Sequence, residues 1–268
     1  MEYKIGFIGA GNMGGSLAKA VSESLGGNKI LIADFFKDKA QLLANTIGAF
    51  VAENKEIAKK CTHIFLGVKP QMMEDMLSGI KDILNGRRDE VVLISMAAGL
   101  STDKICDMAG GDMAVVRIMP NTPVSVGKGV VLYCTNKGVT DKEKIFVEDM
   151  LSKAGYVDAI DEKLIDAASA VSGCGPAFVY MFAESLADGA VACGLPRDRA
   201  LKYAAKMIEG SANLLFASEE HPGELKDKVC SPGGSTIEGV KSLENGRFRG
   251  DVIEAVCASY QKTVELGK

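Results

Sequence analysis

Over roughly the first 160 residues, short apolar runs alternate with stretches in which apolar positions recur at helical spacing. The runs are rich in Val, Ile, Leu and Phe and predict strands at 4–9, 29–33, 63–68, 90–96, 114–120, 129–134 and 156–160, with a short one at 49–52. Because polar residues do not alternate within them, these strands are expected to be buried on both faces, the condition of a parallel sheet covered by helices. After Asp161 the strand signal stops. Four or five helical segments are expected there, separated by Gly and Pro at 173–176, 194–196, 221–223 and 232–234. The expected architecture is α/β: a doubly wound, mostly parallel sheet over 1–161, then an all-α domain over 162–268.

Within the helical half, residues 176–194 are apolar around most of the helix circumference, broken by Glu184, Ser185 and Asp188. Such a helix must be covered on all sides. A small bundle offers too little interior for that, so a partner subunit is expected on one face, and an obligate homodimer with it. Lys and Arg number 31 against 35 Asp and Glu, a net charge of −4; no basic field exists to attract nucleic acid or an anionic membrane. The seven cysteines, Cys61, Cys106, Cys134, Cys174, Cys193, Cys230 and Cys257, are odd in number and scattered, the usage of a reduced, cytoplasmic chain. Cys61-Thr62-His63 comes nearest to a metal-ligand pattern but runs straight into an apolar strand, and no metal site is expected. The first residues lack the succession of a secretory signal, and Lys, Asp or Gly interrupts every run before the roughly 20 apolar residues a bilayer span needs. A soluble, non-secreted protein is expected.

Candidate chemistry gathers at the ends of the strands. "GAGNMG" places Gly9, Gly11 and Gly14 in G-x-G-x-x-G spacing directly after the first strand and before an amphipathic helix. In that context the first glycine serves a tight turn, the second lets a pyrophosphate reach the backbone, and the third lets helix pack on strand. A Rossmann-type dinucleotide site is therefore expected at Ile8, Gly9, Ala10, Gly11, Asn12, Met13 and Gly14. Asp34 ends the second strand 20 residues after Gly14, where an acid grips a ribose 2′-hydroxyl. Its charge opposes the extra phosphate of NADP while Lys37 and Lys39 attract it, so NADH and NADPH both stay open. Ligands of open α/β sheets lie across the carboxyl ends of the strands. That adds Val68, Lys69, Pro70, Ala97 and Ala98, and Asn121 in the stiff "MPNTP" loop (119–123); Asn54 completes the expected cofactor set.

A second glycine turn, "CSPGGST" (230–236), reads as an anion cradle at a helix start or as an ordinary turn. Ser235 with Glu238 matches the capping-box pattern. His221, ahead of Pro222, reads either as an acid or base or as the cap of a helix start.

"IGFIGAGNMG" (5–14), "VKPQ" (68–71), "AAGLS" (97–101), "MPNTP", "AVSGCGPAFVYMFAESLADGAV" (170–191), "GLPRDRA" (194–200) and "HPGELKDKVCSPGGSTIEGV" (221–240) together resemble the pyrroline-5-carboxylate reductases over nearly the whole chain. The resemblance implies reduction of the cyclic imine 1-pyrroline-5-carboxylate to L-proline, the last step of proline biosynthesis, by hydride from NADPH or NADH. It also implies a homodimer with interleaved C-terminal helices, which assembles into decamers in many members. Ser169 stands where the family places a hydroxyl beside the imine nitrogen as a proposed proton donor. Ser231, Gly234, Ser235 and Thr236 stand in the family's carboxylate-binding loop, and Glu219 at another substrate-side position. Asp34-Phe35-Phe36-Lys37 departs from the Ser or Thr plus basic residue of many NADPH-favouring relatives, which again leaves the cofactor open. An imine is readily protonated, so a weak donor suffices, and most of the catalysis is expected from holding the imine carbon against the nicotinamide. Two other readings share the first domain. A β-hydroxyacid dehydrogenase-like oxidoreductase needs a lysine base on the first long helix of its second domain, and 176–194 has none; a non-catalytic NAD(P)-sensing protein has no use for a second anion turn.

Overall fold

The computed structural model describes residues 5–266; Lys4, expected to begin the first strand, and the outer ends of both expected domains, 1–4 and 267–268, lie outside the described residues. Every expected strand forms: β1 (Ile5–Ile8), β2 (Ile30–Ala33), β3 (Phe50–Val51), β4 (His63–Leu66), β5 (Val92–Ser95), β6 (Ala114–Pro120), β7 (Gly129–Thr135) and β8 (Gly155–Ala159). They join one sheet in the order β3-β2-β1-β4-β5-β6-β7-β8. All neighbours are parallel except β6 and β7, between which the chain doubles back through a short 3-10 turn, Thr122–Val126.

Strand periodicity sorts the side chains of the central strands into two cores. The helices of the sheet region are α1 (Asn12–Leu25), α2 (Lys37–Ile47), α3 (Asn54–Lys60), α4 (Met73–Ser78), α5 (Lys81–Asn85), α6 (Thr102–Ala109), α7 (Asp141–Leu151) and α8 (Glu162–Ser172). Phe7, Phe65, Ile94 and Val116 stand in register across β1, β4, β5 and β6 and share one core with residues of α1, α2 and α7. Ile8, Ile64, Leu66, Leu93 and Val115 point the other way into a second core with α3, α4 and α6. This is the two-sided burial that the unbroken apolar runs require; the edge strands β3 and β8 stay partly exposed. Helix α8 packs Ile165 and Ala168 against Leu132 and Cys134 of β7.

The chain up to Cys174, with the segment from Ser259, forms one compact unit, and Gly175–Ala258 form a second. The remaining helices are α9 (Gly175–Ala192), α10 (Arg197–Ser218), α11 (Pro222–Val229), α12 (Ser235–Asn245) and α13 (Phe248–Leu266). Six helices therefore follow Asp161 among the described residues, where four or five were expected. The Gly and Pro breaks account for five segments; the further break falls at Gly246-Arg247, where Arg247 takes a left-handed φ of +60 without being glycine. In α9 only Ala187 is buried, and Val179, Tyr180 and Met181 are exposed. By length and mean hydropathy the stretch 162–192 is apolar enough to cross a bilayer, although Asp166, Gly173, Gly175 and Glu184 interrupt it, as the sequence leads one to expect. Two features argue against a span: the turn at Gly173-Cys174 divides it, and α8 is spent on β7.

The core stack of Phe7 on Phe65, with ring centroids 4.3 Å apart, ties β1 to β4 directly beneath the glycine loop. Phe65→Ala is expected to cost about 3–5 kcal/mol, measured as a lowered midpoint in urea denaturation.

Candidate active site

The three fingerprint glycines are required for different reasons. Gly9 leaves β1 with φ +110, and a Cβ there would lie 2.5 Å from the carbonyl oxygen of Gly67 at the end of β4. Gly14 is equally confined, since its Cβ would lie 2.3 Å from the Gly9 oxygen. At Gly11 a Cβ would meet nothing within 4 Å, and its φ of −68 suits any residue. Two glycines are thus demanded by the fold, while the middle one keeps space clear for something from outside. Gly11 caps α1 without a side-chain hydrogen bond, and the first turn carries no acid. The leading N–H groups and the positive end of the helix dipole are left for an anion, so the residues fit a dinucleotide pyrophosphate.

Around this loop, Gly9 N–H donates to Ala33 O and Gly67 N–H to Ile8 O, each at 2.8 Å. Asp34 spends both carboxylate oxygens on main chain: Oδ2 accepts from Ala10 N–H at 2.7 Å and Oδ1 from Phe36 N–H at 2.9 Å. The acid expected at the ribose therefore also braces the glycine loop, a role the spacing does not reveal. Asp34, Lys37 and Asn54 line a cavity of about 540 Å³ at the carboxyl end of β2. Lys39, by contrast, lies 4.9 Å over the ring of the exposed Phe36. Val68, Lys69 and Pro70 leave β4, with Lys69 exposed and Pro70 opening a 3-10 turn, and Ala97 and Ala98 leave β5. These loops share one edge because β1, β2, β4 and β5 are parallel, and the strand order reverses between β1 and β4, the switch point where such sheets bind ligands.

Asn121 is buried with its amide engaged: Nδ2 donates to Ser172 O at 2.9 Å, and Oδ1 accepts from Val130 N–H at 2.8 Å. In the structure it ties the end of α8 to β7. Ser169, three residues earlier on α8, is buried. A Cβ on Gly173 would lie 2.9 Å from Ser169 Oγ, so that glycine keeps room around the hydroxyl.

In the second unit, Ser231 to Gly234 form a tight turn closed by Gly234 N–H on Ser231 O at 3.0 Å, with Pro232 second and Gly233 third at φ +68, the residue pattern of a type II turn. Helix α12 follows at once, but its cap is Gly234, and no side chain caps it. The expected capping box does not form, because Ser235 already lies inside the helix and glycine offers no oxygen. The first-turn N–H groups, including those of Ser235 and Thr236, are thereby left without a side-chain cap. His221 caps α11, its Nδ1 accepting from Gly223 N–H at 3.0 Å. Glu219 ends α10 in the left-handed region at φ +56, a conformation that costs a non-glycine residue about 1 kcal/mol or more.

Residues 162–266 match the family described as pyrroline-5-carboxylate reductase dimerisation, and residues 4–99 match NADP oxidoreductase, coenzyme F420-dependent. The chain is 40% identical to the pyrroline-5-carboxylate reductase of Escherichia coli (strain K12), with 100% of both chains covered. The chain belongs to the pyrroline-5-carboxylate reductase family. Solved structures agree: the Plasmodium falciparum pyrroline carboxylate reductase with NADP bound is 36% identical at a TM-score of 0.89, covering 100% of each chain. The Coxiella burnetii pyrroline-5-carboxylate reductase is 30% identical at 0.91, again over 100% of both. An N-terminal Rossmann-type sheet followed by a helical dimerisation region is the architecture of this family.

The differing reasons for the glycines can be separated. Gly11→Ala is expected to leave unfolding in urea within about 0.5 kcal/mol of the wild type while weakening NADPH binding in a fluorescence titration. Gly14→Ala, with no space for its methyl, should lose about 1–3 kcal/mol or more of stability in the cofactor-free protein.

Proposed function

We propose that the protein reduces 1-pyrroline-5-carboxylate to L-proline with NAD(P)H, as the last step of proline biosynthesis. The observation that carries the reading is the open position at Gly11 over the uncapped start of α1, in a chain that matches its reductase relatives from end to end. When bound, NAD(P)H supplies the hydride that adds to the imine carbon. The chain's residues do the rest. The loop from Ile8 to Gly14 takes the pyrophosphate, and Asp34 and Asn54 face the ribose. Val68, Lys69, Pro70, Ala97 and Ala98 orient the nicotinamide half, with Asn121 fixing the main chain beside it. The π electrons of the C=N bond pass to nitrogen, which takes a proton that Ser169 donates or relays through a water. The uncapped turn at Ser231, Gly234, Ser235 and Thr236 holds the substrate carboxylate through main-chain N–H groups and the Thr236 hydroxyl. Glu219 serves the substrate side, which gives its left-handed backbone a purpose.

The homo-oligomer indicated by the dimerisation match is, in this reading, a homodimer with interleaved C-terminal helices that assembles into a decamer. The exposed Val179, Tyr180 and Met181 of α9 supply the apolar surface such an exchange would cover. Residues 1–161 act as the cofactor domain and 162–268 as the substrate and dimerisation domain; the dimerisation match begins at 162. A cytoplasmic setting accords with seven free cysteines.

Incubation with pyrroline-5-carboxylate and either reduced cofactor should oxidise it, read as falling absorbance at 340 nm; no turnover with either would overturn the assignment. Thr236→Val is expected to raise the substrate KM roughly tenfold and leave cofactor binding unchanged. Asp34→Ser should move the NADPH to NADH ratio of kcat/KM by on the order of tenfold towards NADPH, measured with both cofactors side by side.

A further inference from the structure

One position breaks the apolar run of β6. Arg117 is buried, with 3% of its surface exposed, and a guanidinium held there needs counter-charges. Both come from α8: Asp166 Oδ1 lies 2.5 Å from Arg117 Nη2 and Glu162 Oε1 lies 3.7 Å from Nη1. Arg117 Nε is buried without a partner among the described residues. Glu162 reaches further, its Oε1 accepting from Thr102 N–H at 2.8 Å and its Oε2 from the Thr102 hydroxyl at 2.9 Å. Thr102 opens α6 directly after the 97–101 loop.

Glu162, Asp166 and Ser169 stand at i, i+4 and i+7, which puts them on one face of α8. The face that Arg117 grips is therefore the face that carries the hydroxyl. Apolar contact of Ile165 and Ala168 with β7 presses the helix onto the sheet, but hydrophobic contact is non-directional. A guanidinium fork on two carboxylates one turn apart fixes the rotation of the helix about its axis.

We propose that Arg117, Glu162 and Asp166 form a positioning unit that sets the rotation of α8, and with it the Ser169 hydroxyl, against the 97–101 loop. Arg117 is a positioning residue, acting through α8, and the proposal rests on the reductase reading. A buried ion pair is weak evidence for stability, since well-packed apolar replacements are often as stable. That property separates alignment from folding.

The test uses the double variant Arg117→Met with Asp166→Leu, which removes the guanidinium and its nearer carboxylate together and leaves Glu162 held by Thr102. Arg87→Met serves as control, because Arg87 is also a buried-stem arginine, paired with Asp89 and bonded to Ala58 O and Cys61 O away from the site. The double variant is expected to fold and to lose kcat roughly 10- to 100-fold, with the substrate KM altered by less than about threefold. The primary isotope effect with deuterated nicotinamide should rise, and in the cofactor-free protein the amides of residues 165–173 should exchange roughly tenfold faster. If the double variant fails to fold, Asp166→Asn, which keeps an acceptor oxygen and loses the charge, should show the same losses in smaller degree. Retention of kcat within about threefold, or losses no larger than those of Arg87→Met, would overturn the proposal. An inactive wild-type enzyme would count against the reductase reading, and the amide exchange of α8 would then decide the positioning role.

Discussion

Main chain touches main chain at the head of β1, and the rest of the site is arranged around that contact. Gly9 and Gly67 approach so closely that a Cβ on Gly9 would lie 2.5 Å from the opposing carbonyl oxygen, and Gly14 presses back on Gly9 with still less room. Side chains are thereby excluded from the one place where β1, β4 and α1 converge. The exclusion brings the start of α1 down onto the carboxyl ends of the strands, and it is the position of that helix start, with its unengaged N–H groups, that makes an anion site. Cores on both faces of the sheet hold the strands in the register that keeps the two glycines opposed.

The helical half solves a related problem by a different route. At α12 the start is again glycine and again uncapped, so N–H groups are exposed by the lack of a side-chain oxygen in the turn. Capping would have stabilised the helix by about 1 kcal/mol; its omission leaves donors for a ligand. The apolar surface of α9 is a comparable sacrifice within a single chain, recovered only when something covers it. Both features destabilise the isolated half and acquire a rationale in one that dimerises and, in the proposed reading, binds the substrate.

The strands were legible because their signal is local. Each buried run carries its own apolar and β-branched character, and all eight appear within a few residues of where the pattern puts them. Glycine spacing likewise revealed the loop, since its logic is confined to six residues. What escaped depends on partners distant in sequence. Asp34 was legible as an acid at a strand end, whereas its bond to Ala10 N–H spans 24 residues. The amide of Asn121 reads as a loop donor until Ser172, 51 residues on, is seen to accept from it. Ser235 and Glu238 match a capping box by letter, but the helix starts one residue too early for the box to close. Arg117 did leave a signal: an arginine inside "AVVRIMP" is a charge in a buried strand, and it implies carboxylates elsewhere in the chain without saying which.

Asp34 shows how far cofactor choice and loop shape are bound together here. In the proposed placement its charge acts on whatever occupies the ribose end, and at a few ångströms in a half-buried site a like charge is worth several kcal/mol before screening. The same carboxylate orients the N–H of Ala10, inside the glycine loop proposed for the pyrophosphate, and the N–H of Phe36, which starts the turn into α2. A chain adapted to the 2′-phosphate has to discard the charge, and in doing so it loses acceptors for two main-chain donors. A serine can restore one of them, since its hydroxyl oxygen can accept a main-chain N–H, but a single oxygen cannot reach both. Lys37 lines the cavity and is available to a phosphate, while Lys39 is held over Phe36. Preference for one dinucleotide is therefore a property of the brace as a whole, and the departure at Asp34-Phe35-Phe36-Lys37 has to be weighed as four residues acting together.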